Sequence, residues 1–81
     1  MRVVREVSHP DFKITIFSWN NRYLVKLEQG LLEQTFKISE LDLTGEADLL
    51  AILDAEFLHQ ASLRFLDMGQ SLHEARVRSG V

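Results

Sequence analysis

The sequence predicts an α+β domain in which an antiparallel β-meander of three or four strands precedes a short helix and a longer C-terminal helix packed on one sheet face. Apolar and polar residues alternate over residues 12–38, which is typical of strands. Over residues 44–78 the apolar residues recur every three or four positions, which is typical of helices. The dipeptide Asn20-Asn21 divides the strand region, and both residues tolerate the positive φ of a type I′ hairpin turn.

Length and composition restrict the class of protein. The 81 residues are 46% hydrophobic and 26% charged, with four Gly, one Pro and no Cys. This composition excludes collagen-like and disordered chains, disulfide scaffolds and thiolate metal sites. We expect one domain over residues 1–81, with strands at about 3–38 and helices at about 44–78. No apolar run is long enough for a membrane span and no signal peptide is recognisable, so a cytoplasmic protein is expected.

The strand region accounts for three or four strands. Residues 3–7 alternate weakly and form the optional first strand, which ends before Pro10. A turn at Asn20-Asn21 would place Phe17 opposite Leu24 and Trp19 opposite Arg22. The predicted register therefore brings large apolar and cationic side chains together on one face of the hairpin.

A second turn is predicted at Gly30-Leu31, where glycine suits the first central position of a type II′ turn. This register would place Glu28 opposite Glu33, a like-charge conflict that a four-residue loop would relieve. In either case the same side chains form the face that we expect to be the core: Phe12, Ile14, Ile16, Tyr23, Val25, Leu27, Leu32, Phe36 and Ile38.

The helical region begins after Thr44, which we expect to be an N-cap. A single helix of about 31 residues would be roughly 46 Å long, whereas an eight-residue strand is about 26 Å long. We favour a break at Asp54, which would cap a second helix and give helices near 45–53 and 55–77. The alternative is one helix that extends beyond the sheet and packs on a second subunit.

The second face of the sheet carries the first candidate interaction surface. Phe17, Trp19 and Leu24 would cluster there with Arg22 beside them, and aromatic residues with arginine are enriched in protein interfaces. Two interpretations remain open: the cluster contacts another protein, or the short helix or residues 41–43 cover it within the chain.

The second candidate surface is the part of the helical apolar stripe that the strands are too short to cover, around Phe65, Met68 and Leu72. A small domain without disulfides or a metal has limited stability, so association is a common source of additional burial. We therefore expect a non-enzymatic protein-interaction or adaptor module, with a homodimer or a protein partner. None of the motifs is specific enough to place the chain in a known family.

A module that binds single-stranded nucleic acid is the alternative function, because aromatic residues on a basic sheet face can stack on bases. The charges argue against it. Residues 1–37 hold six basic and four acidic side chains, a net of +2, whereas residues 38–63 hold six acidic and no basic ones, a net of −6. Such a distribution binds phosphates poorly.

A metal-dependent enzyme is the remote alternative. Glu56 and His59 have the spacing found in di-iron bundles, but the chain has one copy of the motif and no matching second carboxylate. A surface Glu–His pair is expected instead. No nucleophile lies in a glycine-flanked elbow and no phosphate-binding loop is present. We predict no catalytic residue, no metal and no cofactor.

Overall fold

A computed structural model describes all 81 residues and contains one four-stranded antiparallel sheet followed by two α-helices. The strands are neighbours in chain order. The elements are β1 (Arg2–Val7), β2 (Lys13–Trp19), β3 (Arg22–Gln29), β4 (Leu32–Ser39), a 3₁₀ turn (Glu40–Asp42), α1 (Glu46–Ile52) and α2 (Ala55–Ser79). The predicted α+β class, the meander and the short helix followed by a longer one are confirmed, and the optional strand is β1.

The hairpin between β2 and β3 has the predicted turn and register. Asn20 and Asn21 have φ angles of 54° and 61°, as a type I′ turn requires. Phe17 lies opposite Leu24, and Trp19 lies opposite Arg22. Because side chains alternate between the two faces of a strand, this one turn determines which face every residue of the hairpin occupies.

The turn between β3 and β4 has two residues, and Gly30 has a φ of 59°. Glu28 therefore lies directly opposite Glu33, and no longer loop separates the two carboxylates. The conflict is relieved by a cation instead: the Nζ atom of Lys26 lies 3.3 Å from a carboxylate oxygen of Glu33. A diagonal ion pair thus offsets the like-charge contact.

β1 is an edge strand with an irregularity in its pairing. Val3 lies opposite Phe17 and Arg5 lies opposite Ile16, so the register shifts between Val3 and Arg5. A bulge of this kind bends an edge strand and discourages pairing with another sheet. It also places Val3 on the face that carries Phe17.

The core lies between one sheet face and the two helices. Its buried residues are Phe12, Ile14, Ile16, Val25, Leu27, Leu49, Ala61 and Phe65. Tyr23, Leu32, Phe36 and Ile38 pack against this cluster and are partly buried. Every residue of the predicted core face is therefore part of the core or packs against it.

The start of α1 differs from the prediction that Thr44 is its N-cap. Gly45 occupies the N-cap position and offers no side-chain hydrogen bond. The Asp48 carboxylate accepts hydrogen bonds from the backbone N–H of Thr44 at 2.8 Å and from its hydroxyl at 2.9 Å. Thr44 therefore precedes the helix and donates hydrogen bonds, and Asp48 in the first turn of α1 is the acceptor.

These hydrogen bonds make the start of α1 sensitive to acid. The backbone N–H of Thr44, and then its hydroxyl, lower the pKa of Asp48 from its ordinary value of 3.8. A lowered pKa means that the stabilisation is fully present above about pH 4 and is lost as the pH falls through the folded-state pKa. We expect the Thr44 amide resonance to shift in step with Asp48 protonation in an NMR titration, and the shift to be absent in Asp48→Asn. An amide that stays constant through the Asp48 titration would contradict this.

The helical region is broken where the sequence predicts it. Asp54 caps α2, and its side chain accepts a hydrogen bond from the Phe57 N–H at 2.8 Å. Leu53 and Leu58, on either side of the cap, both pack against the core. This arrangement is a capped helix start with a hydrophobic staple.

α2 runs along β4 and is held there by polar and aromatic contacts. Gln34 donates a hydrogen bond to the Ala61 carbonyl at 2.9 Å and accepts one from Arg64 at 2.8 Å. The Arg64 guanidinium lies 5.8 Å from the Phe36 ring and 5.9 Å from the Phe57 ring. The two rings are 5.1 Å apart in an edge-to-face arrangement. These contacts determine the position of α2 along the strand.

Candidate interaction surfaces

The sheet face opposite the helices, the outer face, carries the first predicted surface. We call Phe17, Trp19, Arg22 and Leu24 the outer patch. Phe17 and Leu24 are neighbours across β2 and β3, and Trp19 and Arg22 form the next pair. Trp19 is 48% exposed, Phe17 is half-buried and Leu24 is buried among its neighbours. The structure therefore brings all four residues together on one face.

No helix covers the outer patch, although the sequence left this possibility open. Leu49 of α1 lies in the core, and Leu43 packs against the same cluster on the opposite side of the sheet. Leu41 is almost fully exposed and contacts neither face. The short helix and Leu43 therefore lie on the core side, Leu41 points to solvent, and neither segment covers the outer patch.

Val3 extends the outer patch, and sequence analysis did not find it. Val3 lies opposite Phe17 on β1 and is 53% exposed. The alternation of residues 3–7 was a signal for the strand, but the bulge decides which face Val3 occupies. With Val3, the apolar surface crosses three strands.

Thr15 lies beside the outer patch and has a hydroxyl without a partner. Its side chain is buried, and its Oγ1 atom makes no hydrogen bond. A buried hydroxyl without a hydrogen bond costs about 1–3 kcal/mol. Valine has nearly the same shape as threonine and keeps the β-branched side chain.

We expect Thr15→Val to raise the free energy of unfolding by about 1 kcal/mol, because it removes this desolvated hydroxyl. Urea denaturation followed by circular dichroism measures the change. Thr35→Val is the matched control, since Thr35 shares the outer face, two strands away, and is exposed. Equal effects of the two substitutions would show that burial of the Thr15 hydroxyl is not the cause.

α2 provides the second predicted surface, beyond the point where β4 ends. A Cβ atom added at Gly69 would lie 3.6 Å from Leu32, the first residue of β4. α2 continues to Ser79, so its residues 70–79 extend past the sheet by about 15 Å. We call residues 70–79 the overhang. It accounts for much of the 48 Å length of the molecule, against 26 and 19 Å in the other directions.

The three residues predicted for this surface lie in different environments. Phe65 is buried and contacts Phe12, with the ring centroids 5.6 Å apart. Met68 is half-buried at the edge of the core, and Leu72 in the overhang is 52% exposed. Phe65 therefore belongs to the core and not to the uncovered part of the stripe. The reason is that α2 packs on the sheet as far as Met68 and extends past the sheet only after that residue.

Exposed leucine and valine side chains near the overhang were not found from the sequence. Leu31, at the turn between β3 and β4, is fully exposed, and Val77 is 67% exposed. The second central residue of a two-residue hairpin turn points away from the sheet. The predicted turn at Gly30-Leu31 could therefore have indicated that Leu31 is exposed. Val77 lies outside the apolar stripe of the helix. It belongs to the second surface only because α2 extends past the sheet.

The end of the sheet next to the overhang contains an open depression of about 510 Å³ between the β1–β2 loop and the β3–β4 turn. Its charged lining consists of Glu6, Asp11, Lys13 and Glu28. We call it the acidic depression. Its rim is held by a hydrogen bond from the Gln29 side chain to the Asp11 carbonyl at 3.1 Å.

Histidines and carboxylates are dispersed. Glu56 accepts a hydrogen bond from Gln60 at 3.2 Å, and His59 is exposed one turn along α2. His9 stacks on Phe12, with the ring centroids 4.2 Å apart, and its Nδ1 accepts a hydrogen bond from the Asp11 N–H. No group of three or more His, Cys, Asp or Glu side chains converges on a point that could hold a metal ion. None of the helices combines the length and apolar composition of a membrane span.

Comparisons with protein-family models, with characterised proteins and with solved structures found no match for this chain.

Proposed function

We propose that this domain is a non-enzymatic protein-interaction module of the cytoplasm that associates with a second copy of itself. The observation that carries the proposal is the apolar surface that the fold leaves open. Twelve large hydrophobic side chains are exposed, whereas only ten of the 81 residues are buried. Apolar side chains that cluster on a small domain, as Val3, Phe17 and Trp19 do on the outer face, are typical of protein contacts.

Stability supports association in particular. A domain below about 80 residues rarely obtains more than about 3–5 kcal/mol from one core. Burial of exposed apolar surface against a second copy contributes about 25 cal/mol for each Å² removed from water. A dimer would therefore bury additional apolar surface and gain stability that the isolated chain lacks.

Two surfaces are available for contacts: the outer patch on the sheet and the overhang of α2. Trp19 and Arg22 are of the residue types most frequent at the energetic centre of interfaces. The overhang is an exposed helix segment that carries the apolar residues Leu72 and Val77, and partners commonly recognise helices through such positions. The outer patch is the surface to which a protein of another kind would bind when the overhang is occupied.

Sedimentation equilibrium of the purified chain over a wide range of concentrations tests the proposal. We expect the weight-average mass to rise from that of the 9.3 kDa monomer towards twice this value. A mass that remains monomeric at all accessible concentrations would overturn self-association. Titration with a labelled single-stranded oligonucleotide is the test of the alternative: binding that weakens steeply with salt would favour a nucleic-acid module instead.

A further inference from the structure

The overhang and the acidic depression lie at the same end of the molecule. α2 runs antiparallel to β4, because Phe57 contacts Phe36 whereas Gly69 lies next to Leu32. The overhang consequently continues past the turn at Gly30, which also lines the acidic depression. The overhang extends away from its own sheet, and all of its residues except Ala75 are exposed.

The two features have opposite charges. Three carboxylates and one ammonium group line the acidic depression: Glu6, Asp11, Glu28 and Lys13. The overhang has two positive charges, on Arg76 and Arg78, and one negative charge, on Glu74. Arg76 donates hydrogen bonds to the carbonyl of Val81, and Arg78 has no partner in the fold. The overhang therefore carries a net positive charge, and the acidic depression carries a net negative charge.

Apolar side chains accompany both features. Leu72 and Val77 are exposed along the overhang, and Leu31 projects from the turn at the edge of the acidic depression. An apolar contact flanked by complementary charges is the usual composition of a specific protein interface.

We propose that the overhang of one copy binds the acidic depression of a second copy, and that a two-fold axis repeats the contact. In this arrangement Leu72 and Arg76, which lie one turn apart on the same side of α2, face the partner's Leu31 and the partner's carboxylates. Val77 and Arg78 point to other sides of the helix and border the contact. Because both features lie at one end of the chain, two copies arranged end to end complete both contacts at once. Features at opposite ends would instead produce an open filament. This inference rests on the proposed self-association and specifies its surface.

Charge reversal provides a test with an internal rescue. We expect Arg76→Glu/Arg78→Glu to raise the dimer dissociation constant at least roughly tenfold, because both contacts then bring like charges together. Asp11→Lys/Glu28→Lys is expected to do the same. A one-to-one mixture of the two variants is expected to form a heterodimer with an affinity within a few fold of the natural chain. In that heterodimer one contact has reversed complementary charges and the other keeps the natural pair.

Controls separate this surface from the rest of the molecule. Arg2→Glu/Arg5→Glu changes the net charge by the same amount on β1 and is expected to leave the dimer unchanged. Trp19→Ala removes the largest side chain of the outer patch and is also expected to leave it unchanged. Leu72→Asp, outside the core, is expected to weaken the dimer while the far-ultraviolet circular dichroism of the monomer stays native.

The outcomes distinguish the two proposals. If the natural chain is monomeric at every concentration in sedimentation equilibrium, both the self-association and its surface are overturned. If the natural chain dimerises but both charge-reversed variants dimerise equally well, only the surface assigned here is overturned. Loss of the dimer in Trp19→Ala with retention in Arg76→Glu/Arg78→Glu would place the contact on the outer patch.

Discussion

Phe65→Ala is expected to remove most of the stability of the folded domain. The Phe65 ring is buried between α2 and the sheet, and it contacts Phe12. Truncation of a buried phenylalanine to alanine costs roughly 3–5 kcal/mol, because apolar burial is lost and a cavity remains. A single core of this size supplies about the same free energy in total. The variant is therefore expected to be largely unfolded at 25 °C.

The neighbouring residue provides the control for this prediction. Leu66 follows Phe65 on α2 but is 71% exposed, so Leu66→Ala is expected to change the unfolding free energy by less than about 0.5 kcal/mol. Both variants are compared by urea denaturation at one low protein concentration, so that association does not contribute. Phe65→Leu keeps the core folded, with a smaller expected loss of about 1–2 kcal/mol. A native-like midpoint for Phe65→Ala would mean that the ring is not a central part of the core.

Leu49→Ala is expected to detach α1 from the sheet. Leu49 is the only buried residue of α1, and this helix has seven residues. An isolated helix of that length is not stable in water, so its stability depends on the tertiary contact that Leu49 provides. The substitution is expected to cost about 2–5 kcal/mol, with the loss concentrated in α1.

Hydrogen exchange can localise the effect. In Leu49→Ala we expect the amides of α1 to lose their protection first, while the β2–β3 amides retain protection up to global unfolding. Leu50→Ala is the control, because Leu50 follows in sequence and is exposed. Uniform loss of protection throughout the domain would mean that α1 and the sheet unfold as a single unit.

Much of the fold could be predicted because the determining interactions are local. The Asn20-Asn21 turn requires two positive φ values, and once it is placed the strand alternation assigns each side chain of the hairpin to a face. The same reasoning predicted the turn at Gly30 and the core face that follows from it. The cap at Asp54 was recognisable because a capping side chain lies three residues from its hydrogen-bond donor.

Three other features could not be predicted because in each case the local pattern allows more than one arrangement. The Glu28–Glu33 opposition is relieved by Lys26 in the structure, whereas the sequence allowed a longer loop. Thr44 has the residue type of an N-cap, but Asp48 in the first turn takes the acceptor role. Val3 joins the outer patch because of a bulge, which local alternation does not predict.

For the interaction surfaces, the sequence by itself determined that Phe17, Trp19, Arg22 and Leu24 share one face of the sheet, since this depends only on the turn and on a period of two. It also determined that the helical stripe is longer than a strand. Only the tertiary structure decided that no helix covers the outer patch and that Phe65 is buried while Leu72 is exposed. The physical reason is that the position of α2 along β4 depends on the Gln34, Arg64 and Phe57 contacts. These contacts set where the helix leaves the sheet, and hence which apolar residues remain exposed.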